Sequence, residues 1–99
     1  MKIKVCGITN IDEALALSKA GVNYVGFIFY PASKRYALHA LTLDQIKTVQ
    51  LPGVLKVGVF VNEPLNDVIA TATAAGLDMV QLHGDETPNY CKEMANHYP

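Results

Sequence analysis

The chain has 99 residues, 51% hydrophobic and 17% charged, the balance of a protein that packs one small core and is not disordered. Its 8 basic and 9 acidic side chains give a formal net charge of −1 and no basic stripe, so nucleic acid is not expected as a partner. Apolar runs such as VGFIF and VGVFV are too short to span a bilayer, and Met1-Lys2 leads straight into a strand pattern, so neither a membrane span nor a targeting segment is read.

Residues 2–8, KIKVCGI, are short and β-branched and read as a strand. Asn10, with Glu13 three positions on, has the form of an N-cap and capping box opening a helix over residues 11–21. In that helix Ile11, Ala14, Leu15 and Ser18 fall at helical spacing, and Gly21 stands where a C-terminal glycine belongs. The cycle recurs three times. YVGFIFY (24–30) precedes LTLDQIKTV (41–49), LKVGVFVN (55–62) precedes PLNDVIATATAAG (64–76), and DMVQLHG (78–84) precedes TPNYCKEMANH (87–97). Asn23, Pro52-Gly53 and Gly76-Leu77-Asp78 punctuate the starts of the strands, while Pro64 and Pro88 stand near helix starts, where a missing N–H costs little.

Four βα units with continuous Val/Ile/Phe strands predict the α/β class: a parallel sheet with right-handed crossovers. A doubly wound sheet would carry a glycine-rich phosphate turn after its first strand, and KVCGITN has one glycine where GxGxxG needs three. A (β/α) barrel fits better.

Polar side chains on such strands need a reason. Lys4 and Cys6 share one face of the first strand, and Gln81 and His83 share one face of the fourth. If those faces point into a barrel, Cys6 and His83 lie at its C-terminal mouth, where barrel enzymes build their sites. Plainer readings stand beside this one: Cys6 as a small core hydrophobe, His83 and Gln81 satisfying backbone groups, Lys4 paired with a carboxylate. Composition alone favours an inert Cys6. Cys91, mid-helix, reads as packing. The second strand leads into YPASKRYALHA, whose Ser33, Lys34, Arg35, Tyr36 and His39 form either a solvated basic loop or an anion clamp built on arginine. Glu13, Asp44, Asp67 and Asp85 read as helix-start or surface acids. The two cysteines sit at opposite ends of the chain with no CxxC pair, so no disulfide or structural zinc is expected, and both thiols are read as free in a reducing cytoplasm.

KVCGITN, GFIFYPASKRY, VGVFVN and VQLHGDE, in this order and spacing, closely resemble the N-terminal half of phosphoribosylanthranilate isomerase, the (β/α)8 TIM barrel of tryptophan biosynthesis. The resemblance covers nearly the whole chain. It implies an Amadori rearrangement of N-(5-phosphoribosyl)anthranilate without cofactor or metal. Cys6 would be the general base, Arg35 would hold the anthranilate carboxylate, and Gln81 and His83 would line the substrate pocket, to which strand parity adds Lys4 as a candidate substrate contact. It also implies that residues 1–99 are the first four βα units of that barrel. The family's general acid and phosphate-gripping loops belong to the other half, and no acid among these 99 residues matches by motif. The chain alone is therefore expected to be inactive until a C-terminal half or a second copy closes the ring. The competing reading is a silent half-barrel scaffold or assembly module.

Overall fold

The computed structural model describes residues 2–82. The fourth predicted helix, His83, Asp85 and Cys91 lie outside the described residues. Within them, four strands alternate with three α-helices: β1 Lys4–Cys6, α1 Ile11–Lys19, β2 Tyr24–Ile28, α2 Leu43–Thr48, β3 Leu55–Phe60, α3 Leu65–Ala75 and β4 Met79–Leu82. One 3-10 turn among the described residues, Ala37–His39, precedes α2 in a stretch where the sequence has no periodic signal. The strands are shorter than their apolar runs because the backbone turns away at their ends. Gly7, at φ 84°, ends β1, and Asn62, at φ 51°, lies two residues beyond β3.

All three strand pairings are parallel, and the spatial order β1-β2-β3-β4 follows the chain. A doubly wound sheet reverses its progression at a switch point, and this one does not. With right-handed crossovers, an unreversed order lays every helix on the same face, as in a barrel.

The register then sorts the side chains. Lys4 pairs with Tyr24, Cys6 with Gly26, Gly26 with Val57, and Val59 with Gln81, so all of these share the face away from the helices. The alternate positions face the helices and build the core. Val25 and Phe27 are fully buried, Phe29 and Phe60 stack with ring centroids 5.2 Å apart, and Ala14, Ile46, Val68 and Ala72 close over them from the three helices. A stacked aromatic pair adds about 1 kcal/mol to its area burial. The other face stays partly open, with Lys4, Cys6 and Leu55 exposed. It is also concave. In a flat sheet β1 and β4 would stand about 14 Å apart, yet the Lys4 ammonium donates a hydrogen bond to Gln81 Oε1 across that face. Only a sheet curled into an arc brings the two together.

Local signals behave as their chemistry dictates. Asn10 Oδ1 accepts the N–H groups of Asp12 and Glu13 at the start of α1, so the N-cap forms, but the full capping box expected there does not, because the Glu13 carboxylate does not accept the Asn10 N–H. A reciprocal capping box forms at α2, where Thr42 Oγ1 accepts the Gln45 N–H while Gln45 Oε1 accepts the Thr42 N–H. Gly21 and Gly76 take left-handed backbone after α1 and α3. Leu15 departs from its predicted core position: it is exposed, and Leu17 packs against the core instead.

Lys56 is the one charged side chain among the buried described residues. On the helix-facing side of β3, its Nζ donates to the carbonyl oxygens of Ile46 at 2.7 Å and Lys47 at 3.1 Å. These belong to the last turn of α2, whose carbonyls have no partner within the helix. Its own N–H donates to Asp78 Oδ2 at 2.8 Å. Burial holds the Lys56 ammonium below the ordinary lysine range, and Asp78 pulls the other way.

Replacing Lys56 with methionine should cost ~1–3 kcal/mol in denaturant unfolding, because two buried carbonyls lose their donor. The lowered folded-state value means that the unfolded chain binds more protons between that value and the unfolded one, so the Lys56 contribution rises with pH across this window. The gap between wild type and Lys56→Met should widen accordingly, and a gap that narrows contradicts the burial.

Candidate functional site

Parallel pairing puts the C-terminal ends of all four strands on one side, and the loops leaving them form a common rim. β1 delivers Cys6 to that rim. Immediately after it, Gly7 adopts a left-handed φ, and the Gly26 carbonyl accepts the N–H groups of both Gly7 at 3.0 Å and Ile8 at 3.1 Å. Ile8 is then driven into the core, 1% exposed, which anchors the turn. Cys6 stands before the anchor as a free, exposed thiol. The reading of Cys6 as a sealed core residue does not survive this placement.

Arg35 reaches the same place from β2. Its loop is folded back on itself: the Ser33 N–H donates to the Tyr30 carbonyl at 3.0 Å, the Arg35 N–H to Ser33 Oγ at 3.2 Å, and the Tyr36 N–H to the Ser33 carbonyl at 3.2 Å. Tyr36 bridges to Ile28 and meets the His39 ring edge-on, with centroids 4.9 Å apart. The loop is thus a hydrogen-bonded turn whose Lys34, Arg35 and His39 stay exposed to solvent, and the Arg35 side chain extends from it to β1. The Arg35 side chain crosses directly over Gly7. A Cβ at Gly7 would lie 2.6 Å from Arg35 Cδ and 3.1 Å from Nη1. Gly7 therefore serves twice, as a left-handed turn residue and as the gap through which the guanidinium passes.

Cys6 and Arg35 line one cavity of about 410 Å³, together with Val5, Gly7, Thr9, Glu13 and Leu17. The volume is in the range of small-molecule sites. An exposed thiol and a planar cation at one opening suit a substrate with an acidic C–H and a carboxylate.

Lys4 and Gln81 share the concave face with Cys6. They line a separate cavity of about 280 Å³ with Tyr24, Val57, Met79 and Val80. Lys4 is bonded to the Gln81 amide, whereas the sequence reading weighed a carboxylate or a substrate. His83, two positions beyond Gln81, lies outside the described residues. Sequence reasoning missed Thr9 and Glu13 as neighbours of the thiol, since Glu13 reads as a helix-start acid. The seven-residue spacing from Cys6 carries no motif of its own. Among the described residues, no three His, Cys, Asp or Glu side chains gather where they could hold a metal ion, and no helix is long and apolar enough to cross a membrane.

Comparison with known proteins gives a consistent picture. The family model for N-(5′-phosphoribosyl)anthranilate (PRA) isomerase matches residues 3–99. The N-(5′-phosphoribosyl)anthranilate isomerase of Thermotoga neapolitana is 43% identical over 97 residues, covering 95% of this chain and 45% of the relative. A solved structure of monomers made from the dimeric Thermotoga maritima isomerase superposes with a TM-score of 0.88 at 40% identity, covering 99% of this chain and 50% of that one. A phosphoribosyl anthranilate isomerase in complex with reduced 1-(o-carboxyphenylamino)-1-deoxyribulose 5-phosphate gives 0.89 at 38% identity with the same coverage. The chain thus spans about half the length of the relatives it matches.

Placing alanine at Gly7 should lower stability by ~1–2 kcal/mol for the left-handed backbone alone, with a further loss as Arg35 is pushed aside. Denaturant unfolding of Gly7→Ala against wild type measures it. Unchanged stability would contradict both the backbone turn and the crossing of Arg35.

Proposed function

Because this chain belongs to the N-(5′-phosphoribosyl)anthranilate isomerase family, we propose that it supplies the N-terminal (βα)4 half of an isomerase barrel in tryptophan biosynthesis. The reaction is the aldose-to-ketose conversion of N-(5′-phosphoribosyl)anthranilate to 1-(2-carboxyphenylamino)-1-deoxyribulose 5-phosphate. The observation that carries this reading is the single opening shared by the Cys6 thiol and the Arg35 guanidinium.

In the proposed sequence, protonation of the furanose ring oxygen breaks the C1–O bond and leaves a C1=N Schiff base. Cys6, as the thiolate, then takes the proton from C2 and becomes the thiol. The C–H electrons form C1=C2, and the C=N electrons return to nitrogen, giving an enolamine. Tautomerisation moves the hydroxyl proton to C1 and yields the C2 ketone. Every bond broken is matched by one formed, and no redox partner enters. Arg35 holds the anthranilate carboxylate in a planar two-point contact, which fixes C2 against the sulfur. Gln81 and Lys4, which line the neighbouring cavity on the concave face, are assigned with His83 to the remainder of the substrate pocket. The acid and the phosphate grip are assigned to the partner half, whether a C-terminal (βα)4 unit or a second copy, which also covers the concave face. The reading carries a cytoplasmic setting, since substrate and product are soluble phosphorylated intermediates.

The test is to join the chain covalently to the C-terminal half of the Thermotoga maritima relative and assay isomerisation. Turnover is expected, and Cys6→Ala should lower kcat by ~10²-fold or more, as loss of a general base does. A folded fusion without turnover would favour a silent scaffold. In the same protein Arg35→Lys should raise KM about tenfold or more while kcat falls less, because a point charge cannot reproduce the planar fork. An unchanged KM would remove Arg35 from the carboxylate site.

A further inference from the structure

Gly26 is the middle residue of β2, buried between Val25 and Phe27. Glycine is a poor choice there, since it weakens the strand, fills no space and loses most entropy on folding. Backbone conformation does not demand it: the glycines with positive φ are Gly7, Gly21, Gly53 and Gly76. Space does. A Cβ on Gly26 would lie 2.8 Å from Cys6 Sγ, 3.3 Å from Cys6 Cα and 3.4 Å from Cys6 Cβ, so its three nearest neighbours all belong to one residue. Gly58, on β3, offers the contrast. A Cβ there would meet Leu77 Cδ1 at 2.3 Å, Phe60 at 2.9 Å and Phe29 at 3.2 Å, so that glycine makes room for core side chains.

We propose that Gly26 is the positioning residue of the Cys6 thiol, a gap in the face of β2 into which the sulfur leans. The inference rests on the role proposed for Cys6 and specifies how the sulfur is aimed. Sγ lies over β2, the strand whose end gives rise to the Arg35 loop, instead of standing over the open side of β1. A Cβ at position 26 is fixed to the backbone and cannot yield. Cys6 has one side-chain torsion, so its sulfur can escape only into another staggered well, about 120° away. The thiol would remain present and would point elsewhere.

The experiment reads the sulfur directly. In the 99-residue chain, the rate of Cys6 alkylation by iodoacetamide, resolved from Cys91 by peptide mass spectrometry, should change about threefold or more in Gly26→Ala, because access to the thiol has changed. Gly58→Ala should lower Tm and leave that rate within about twofold of wild type. A double-mutant cycle supplies the second arm: Gly26→Ala should lower Tm more in the Cys6 chain than in the Cys6→Ala chain, where the sulfur is gone. If Gly26→Ala does not fold, Gly26→Ala with Cys6→Ala should, and equal failure of both overturns the proposal. In the fused isomerase, Gly26→Ala should lower kcat by about tenfold or more with KM within about twofold. An unchanged alkylation rate together with an equal Tm cost in both backgrounds would show that Gly26 does not seat the thiol. Full turnover in Cys6→Ala would instead remove the base role, and an altered alkylation rate would still support the seat.

Discussion

The structure depends on the two-residue period of side chains held in register across four parallel strands. Because β1 to β4 pair in chain order without reversal, one set of alternate positions meets the helices on every strand. The other set meets none of them. The first set carries Val25, Phe27, Phe29 and Phe60 and becomes the core; the second carries Lys4, Cys6 and Gln81. A one-residue slip would turn Lys4 of β1 toward the helices, or turn Phe27 of β2 or Phe60 of β3 away from them, so the core that stabilises the fold also enforces which residues face inward. The residues proposed to act on substrate are thus positioned by packing on the opposite side of the same strands.

Much of this arrangement was legible in the sequence, and the reasons are physical. The four alternating segments, the cap at Asn10 and the left-handed glycine after α1 follow from local chemistry, which short stretches encode. Strand parity correctly set Lys4 with Cys6, because a period of two needs no tertiary information. Leu15 failed because helical spacing defines a stripe and not which edge of it meets the core. The 3-10 turn at Ala37–His39 lay in a loop with no periodic signal. Composition favoured an inert Cys6, since cysteine is commonly buried; the exposed position at the rim comes from the turn at Gly7, which composition does not report. Nor does sequence disclose the Lys4 to Gln81 bond, which exists only because the sheet curls.

Small residues define the mouth. Gly7 lets the chain turn and lets Arg35 cross above it, and Gly26 leaves the space taken by the sulfur. Each weakens regular structure locally, and the neighbouring anchors, Ile8 on one side and Phe27 on the other, offset that cost. Precision at the rim thus comes from what is absent between two strands, while the charged and nucleophilic groups are borne by their neighbours. The open concave face has the same logic at larger scale: Leu55, Val57 and Met79 share it with Lys4 and Gln81, an apolar lining with few polar groups. A second set of four strands can cover such a lining, and the proposed partner half fits that need.

The most direct test is the crystal structure of the fused protein with reduced 1-(o-carboxyphenylamino)-1-deoxyribulose 5-phosphate, the ligand bound by the solved family member. The expected result is Cys6 Sγ about 3.5 Å from C2 of the sugar chain, with both terminal nitrogens of Arg35 on the aromatic carboxylate. A ligand whose carboxylate is held by other groups, with the sulfur turned away from C2, would contradict the assignment of this rim as half of the isomerase site.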